Sequence, residues 1–396
     1  MDPRAQQAML EWIEARRDEI VRFASQLIAI PTENPPGTTY PPCVEVLVGH
    51  LESLDLPTER VQLTPDRLAV LSRVGTGRPL VLHGHYDVVP ATVPGQFEPV
   101  ERGGRLYGRG SSDMKAALTS MMVAQAALVG HGFPGAVALV LVPDEETGGQ
   151  AGTRRLFELN VLDEEPIGAI LGEPTSGVIW NASRGAITVR VTVRGEPAHV
   201  GLHFQGVNAF ETALPILEAL GRLKADVRSV HTGFAIEPPE ARESILMLGG
   251  EVRGGHQFNL VPDAFSFTVE RRFNPEEDLE RERERLLAVI GTAIPEGAAV
   301  EVDVFQEGAS SATDEAEPLI GALRAAHRRI SGSEPACALC PGLLENRFYT
   351  AAGIPAVSYG PGELEVSHGP EESVSVDRLV ECAKIYALTA LQLAGH

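Results

Sequence analysis

Three apolar runs in this chain end on an acid or an imidazole, and that pairing restricts the fold more than any other feature. Pro79-Leu80-Val81-Leu82 leads into His83-Gly84-His85-Tyr86-Asp87, Ala136 to Val142 into Asp144-Glu145-Glu146, and Ile167 to Leu171 into Gly172-Glu173. A short unbroken apolar run reads as a strand covered on both faces, the kind found in parallel sheets packed between helices. Open α/β sheets gather their binding groups at the carboxyl ends of such strands. Two further segments set the same residue types beside glycine or proline. Gly108-Arg109-Gly110-Ser111-Ser112-Asp113-Met114-Lys115 leads into a helix expected from Asp113 to Val129, and Ser367-His368-Gly369-Pro370-Glu371-Glu372 follows much later.

A chain of 396 residues exceeds the usual extent of one hydrophobic core, so two domains are expected. Residues 5–29 read as one amphipathic helix, with Trp12, Ile20, Phe23 and Leu27 on a stripe. Near residue 182 the pattern changes. Ala186 to Arg194 alternates branched and polar residues as a half-exposed strand does, and Asn208 to Leu223 is helical. Strands follow at Ser244 to Val252 and Ala264 to Phe273, then a charged helix from Pro275 to Ile290 and a strand from Ala299 to Phe305. This β-α-β-β-α-β order is the ferredoxin-like split motif. The α/β pattern resumes with a helix from Glu317 to Ile330, a strand from Ala356 to Gly360 and a helix from Asp377 to Leu393. The expected division is a catalytic domain made of 1–181 and 307–396, interrupted by an inserted domain at 182–306.

Hydrophobic residues at 43% and charged residues at 22% are ordinary for a soluble globular protein. The formal net charge of -21 leaves no basic face to neutralise phosphates, which argues against nucleic acid as a partner, and it would be repelled by an anionic membrane surface. No run is long enough to span a bilayer and the first residues lack an apolar signal-peptide core, so a cytoplasmic location is expected. Cys43, Cys337, Cys340 and Cys382 are too scattered for a disulfide framework; Cys337-Ala338-Leu339-Cys340 has redox or zinc spacing, but no second pair accompanies it.

Oxygen-rich ligands with two imidazoles suit a pair of zinc-like ions better than any other common cofactor. Each residue also has an ordinary use. A His-x-Asp in a loop is commonly a hydrogen-bonded turn, Asp113 a helix N-cap, and Glu145-Glu146 a solvated loop. In their order along the chain, however, the five segments resemble the two-metal M20 amidohydrolases, the group of acetylornithine deacetylases, succinyl-diaminopimelate desuccinylases, aminoacylases and glutamate carboxypeptidases. The resemblance runs from about residue 15 to about residue 385.

That resemblance implies a zinc-aminopeptidase-like catalytic domain with a mixed central sheet, interrupted by a ferredoxin-like lid that forms a homodimer. It implies two divalent ions, zinc first and cobalt or manganese as substitutes. Asp113 would bridge them, His85 and Glu173 would complete one, and Glu146 and His368 the other. Asp87 would hold the His85 ring, and the Asp113-Met114 peptide would be cis, as in relatives. Glu145 would be the general base that takes a proton from a hydroxide-forming water between the ions. His199, in Glu196-Pro197-Ala198-His199-Val200-Gly201, would donate to the oxyanion in a neighbouring subunit. Arg272, Asn259, Arg184 and Arg347 would bind substrate. His83 is expected to be a buried, hydrogen-bonded histidine without an assigned role.

The implied reaction is hydrolysis of an N-acyl amino acid or related N-acyl amine, and glutamate at position 173 is the choice associated with deacylases. A metallocarboxypeptidase or dipeptidase acting on short peptides is the alternative within the group, and a non-catalytic regulator that kept the fold is the alternative outside it. One departure stands out. Many relatives carry a Gly-Thr-Asp-Ala-Arg-type loop after the Cys337 region, whereas this chain has Pro341-Gly342-Leu343-Leu344-Glu345-Asn346-Arg347-Phe348, a reading in which the usual acid and hydroxyl are gone.

Overall fold

The apolar runs form the middle of a mixed sheet. The computed structural model describes residues 1–162 and 165–394. In chain order it contains α1 (Pro3–Glu14), α2 (Arg17–Ile28), α3 (Tyr40–Ser53), β1 (Glu59–Thr64), β2 (Arg67–Val74), β3 (Pro79–His85), β4 (Val100–Arg102), β5 (Arg105–Tyr107), α4 (Lys115–Gly130), β6 (Ala136–Val142), α5 (Thr153–Glu158), β7 (Gly168–Leu171) and β8 (Ile179–Ser183). There follow β9 (Gly185–Arg194), α6 (Ala209–Arg228), β10 (Ile245–Gly254), β11 (Ala264–Phe273), α7 (Leu279–Ala293) and β12 (Ala299–Gly308). The last stretch carries β13 (Ser311–Ala312), α8 (Pro318–Ser331), β14 (Cys337–Cys340), α9 (Asn346–Ala351), β15 (Ala356–Ser358), β16 (Ser373–Ser375) and α10 (Val376–Leu393).

Two compact units result. One comprises 1–181, 312–338 and 344–396, the other 182–311 with 339–343. The second unit thus runs to Ser311 rather than to 306, and it recovers a short piece of the later chain.

In the first unit the sheet order is β1-β2-β6-β3-β7-β15-β8-β13, with β14 beside β8. The neighbours β6, β3, β7 and β15 are parallel, and β2 joins β6 antiparallel. Alternate residues sort to opposite faces, as strand geometry requires. Val137, Leu139 and Leu141 join the core that contains α4 and α10, whereas Ala138, Val140 and Val142 join a second core with Leu156 and Tyr349. Helices therefore cover both faces. Helix α4 is buried almost all round, which suits its lack of charge after Lys115. Lys115 is itself buried, and its ammonium donates to the carbonyls of Leu27 and Ile30 at the end of α2.

The second unit is a four-stranded antiparallel sheet in the order β10-β11-β9-β12. With α6 and α7 this is the ferredoxin-like arrangement expected from the sequence. Ile187, Val189, Val191 and Val193 of β9 face Ile216, Leu220, Leu286 and Ile290 of the two helices.

Several boundaries differ from the sequence reading. The single helix over 5–29 is two helices, with Ala15 and Arg16 between them; the Arg16 guanidinium lies 3.3 Å from the Trp12 ring centroid, so the apolar stripe continues across a break that its period does not reveal. The helix expected from Pro275 starts at Leu279, where Asp278 caps the Arg281 amide at 2.9 Å. Helix α3 was not anticipated, because Pro41 and Pro42 disguise a helical first turn that tolerates them. No helix among the described residues is long and apolar enough to cross a membrane, and all four cysteines are buried.

Gly84 and Gly172 let α4 approach the sheet. A Cβ on Gly84 would lie 2.4 Å from the Met114 methyl and 2.5 Å from a Leu118 methyl, and one on Gly172 would lie 2.6 Å from the methyls of Met114 and Met121. Gly84→Val should therefore cost about 1–3 kcal/mol by overpacking. Chemical denaturation with an unchanged midpoint would show that the contact is looser than this.

Candidate metal centre

The register of the parallel strands brings the chemical residues to one level. His85 pairs with Val142 and His83 with Leu171, so the loops that leave β3, β6 and β7 begin side by side. Two groups of ligand-type atoms result: His85, Asp113 and Glu173 in one, and Asp113, Glu146 and His368 in the other. Within each group the atoms lie within 4.8 Å of one another. Asp113 belongs to both. Its Oδ1 is 3.2 Å from His85 Nε2 and its Oδ2 is 3.2 Å from His368 Nε2, which is itself 3.4 Å from Glu146 Oε2. Tetrahedral zinc with nitrogen and oxygen donors at about 2.0 Å spaces those donors about 3.3 Å apart, so the residues fit the ions.

Electrostatics point the same way. Burial, then the charge of Asp113, pushes Glu173 up to about 8, and burial also raises Glu145 and Glu146. His85 is raised despite its burial by hydrogen bonds to Asp113 and Asp87, and His368 is raised to about 10, first by Asp113 and then by Glu146. Burial would lift Asp113, but the two imidazoles hold it well below the usual carboxylate range. Protons thus do the work that cations would do.

Backbone anchors aim these side chains. His85 Nδ1 is 3.0 Å from the Asp87 carbonyl oxygen and 3.4 Å from its carboxylate. The Asp87 carboxylate accepts from the amides of Glu145 and Glu146, both at 3.2 Å, and from Asn34 Nδ2 at 2.9 Å. Those two glutamates occupy a single 3₁₀ turn entered through Asp144 at φ 78°, and they diverge. Glu145 Oε2 lies 4.0 Å from His85 Nε2, whereas Glu146 Oε1 accepts from the Val89 amide at 3.2 Å and its other oxygen faces His368. Asp113 does not cap α4, whose N-terminus has no side-chain cap; the Asp113-Met114 peptide is cis.

Residues 81–392 match the model described as peptidase family M20/M25/M40. The chain belongs to this family. Succinyl-diaminopimelate desuccinylase of Delftia acidovorans is 30% identical over 395 residues, covering 94% of this chain and 97% of the relative. Among solved structures, human carnosine dipeptidase 1 superposes with a TM-score of 0.80 at 16% identity over all of both chains. A dinuclear metal-binding M20 family peptidase of Bacillus subtilis gives 0.68 at 16% identity, covering 96% of this chain and 99% of that one. At such identities the structural likeness speaks for the fold. Family membership makes this chain a hydrolase of amide bonds.

The residues expected to bind substrate lie in different surroundings. Arg184 is buried inside the second unit, donating to Asn274 Oδ1 and to the carbonyls of Ala241 and Glu243. Arg347 is buried in the first unit and donates to the carbonyls of Leu344 and Gly148, the latter just past the Glu145–Thr147 turn. A buried guanidinium needs acceptors, and for both residues nearby carbonyls are among those that supply them. Arg272 is partly exposed and its Nε pairs with Glu270. His199 is exposed; its Nδ1 accepts from the Gly201 amide at 3.1 Å, which leaves Nε2 as the protonated nitrogen of the neutral ring. The Asn259 carbonyl accepts from the Val200 amide at 2.9 Å, and Leu260 bridges to His199, so Asn259 and His199 are neighbours.

Other contributors escaped the sequence reading. Asn34, in Asn34-Pro35-Pro36-Gly37, joins Asp87 to Thr147 Oγ1 at 3.0 Å; only the turn-forming prolines and glycine hinted at it. The loop thought to lack an acid supplies one in Glu345, whose Oε2 is 2.8 Å from His83 Nε2. Tyr349 Oη is 2.9 Å from the other nitrogen of His83, which is buried and hydrogen-bonded as expected.

Metal uptake should depend on pH in a defined direction. His85 and His368 are raised, so near neutrality they hold protons that a cation must expel. Apparent zinc affinity of metal-free protein should rise between about pH 6 and pH 9, with proton release visible by calorimetry in buffers of different ionisation enthalpy. Affinity that is flat or falls with pH would contradict these assignments.

Proposed function

We propose that this chain is a metal-dependent deacylase that hydrolyses the amide bond of an N-acyl amino acid or a closely related N-acyl amine. The observation that carries the reading is the pair of ligand groups sharing Asp113, with the unshared carboxylate of Glu145 beside them. The full-length relationship to a succinyl-diaminopimelate desuccinylase supports deacylation, as does glutamate at position 173.

His85, Asp113 and Glu173 would hold one divalent ion, and Asp113, Glu146 and His368 the other, with zinc favoured by the mixed nitrogen and oxygen donors and cobalt or manganese as alternatives. When bound, such ions supply Lewis acidity and make water acidic enough to yield its proton near neutrality. Glu145 takes that proton and returns it to the departing nitrogen. Asp87 sets the position of Glu145 through its amide, and of His85 through the carbonyl. His199 donates from Nε2 to the oxyanion that develops on substrate in a neighbouring subunit. Arg272, with its Nε engaged by Glu270, offers the outer nitrogens of its fork to a substrate carboxylate, and Asn259 flanks His199.

A homodimer formed through the second unit fits its apolar surface, where Phe258 is fully exposed and Phe204 is 72% exposed beside Val200, Leu202 and Leu260.

The experiment that tests the reading is hydrolysis of N-acetyl, N-succinyl and N-formyl amino acids and of dipeptides by zinc-loaded and metal-stripped protein. Metal-dependent release from an acylated series is expected, and Glu145→Ala should lower kcat by about 10²–10⁴-fold while both ions stay bound. Cleavage of dipeptides alone would move the chain to the peptidase side of the family, and loss of metal in Glu145→Ala would mean that the two glutamates exchange roles. His199→Ala should reduce the rate by about 10²–10³-fold without changing the sedimentation coefficient of the dimer. A monomer throughout, or normal kinetics, would remove His199 from the reaction.

A further inference from the structure

A metal ligand on a loop is only as well placed as that loop. Asp113 ends an irregular segment between β5 and α4, and His368 sits in another irregular segment before β16, at φ 62°. Neither segment can rely on a sheet ladder for its geometry.

One buried ion pair supplies what the ladder does not. The amides of Gly110, Ser112 and Asp113 converge on a single oxygen, Glu372 Oε1, at 2.9, 3.1 and 3.1 Å. The other oxygen of Glu372 receives Arg109 Nη1. Arg109 Nη2 in turn donates to the carbonyls of His368 at 3.1 Å and Pro90 at 3.3 Å. Pro90 directly follows Val89, whose amide holds Glu146. Arg109 and Glu372 are 0% and 1% exposed. Three of the segments that carry ligands therefore hang from one guanidinium–carboxylate contact that touches no ligand atom.

We propose that Arg109 and Glu372 are positioning residues for the two-ion site, setting Asp113 against His368 and Glu146 and thereby the affinity for the ion those three residues hold. The inference rests on the two-ion reading of the site. The pair is chemically matched to the task. A carboxylate can accept three amides on one oxygen while the second stays available to a cation, and the planar fork of arginine reaches two carbonyls from one nitrogen. A glutamine at 372 can satisfy one side only. If its oxygen faces the amides, its NH₂ opposes Arg109; if it turns over, the amides of Gly110, Ser112 and Asp113 lose their acceptor.

The test is a competitive titration of metal-free protein with zinc against a chromogenic chelator, alongside thermal melting. Glu372→Gln and Arg109→Lys are compared with wild type and with Glu371→Gln, a neighbour whose exposed carboxylate pairs with Arg102. Wild type and Glu371→Gln should bind two ions with matching affinities. Glu372→Gln and Arg109→Lys should lose about 10–100-fold in affinity for one ion and clearly less for the other. Two unchanged affinities, or an equal loss at both ions, overturn the proposal even if the melting temperature falls, because the pair would then act on stability alone. Should Glu372→Gln fail to fold, Arg109→Lys decides, since lysine keeps the charge but cannot hold Glu372, His368 and Pro90 together. Wild type that binds no zinc would instead sink the two-ion reading, and the positioning role with it.

Discussion

Crowding of buried carboxylates at the carboxyl end of a parallel sheet is the constraint around which this molecule is arranged. Asp113, Glu145, Glu146 and Glu173 raise or compete with one another through burial and mutual charge, with Glu345 close enough to add to the effect on Glu145 and Glu173. Desolvated like charges are costly unless cations, protons or hydrogen-bond donors neutralise them. The protein contributes two imidazoles to the cluster itself and keeps its remaining compensation one layer back. Asp87 faces amides and Asn34, Glu345 faces His83, and Glu372 faces amides and Arg109. Asp87, Glu345 and Glu372 are thus tied down, which leaves the ligand groups and Glu145 as the place where positive charge is still needed.

The rest of the first unit makes that crowding possible. Parallel register brings β3, β6 and β7 to a common end, and Gly84 and Gly172 allow α4 to sit low enough for the segment before it to reach the same level. A larger residue at either glycine would press on the side chains of Met114 and of Leu118 or Met121. The geometry of the candidate ligand groups follows from close packing between a buried helix and a buried sheet.

Much of this was legible. Uninterrupted apolar runs identified β3, β6 and β7 because strands covered on both faces cannot alternate, and the ferredoxin-like unit followed from the change to alternation after residue 182. The ordered segments ending at His85, Asp113, Glu146, Glu173 and His368 identified residues that the fold brings together. Less legible were elements whose pattern is short or masked, such as β4, β5, β16 and the proline-led α3. The partners one layer back were harder still. Asn34 and Glu345 lie far from Asp87 and His83 in the chain, and nothing in their local sequence names those contacts. The burial of Arg184 and Arg347 and their bonds to distant backbone carbonyls were equally invisible in the local sequence.

The sequence by itself determined which residues could do chemistry and on which strands and helices they would lie, because residue type and apolar period are local properties of the chain. Only the tertiary structure decided which acids bind one another's neighbours, which face backbone amides and which are left to meet a cation. That decision depends on distances between segments separated by a hundred residues or more, such as the 259 between Asp113 and Glu372. Hydrogen bonds and charges act over a few ångströms, so their partners are chosen by packing, which no local pattern records.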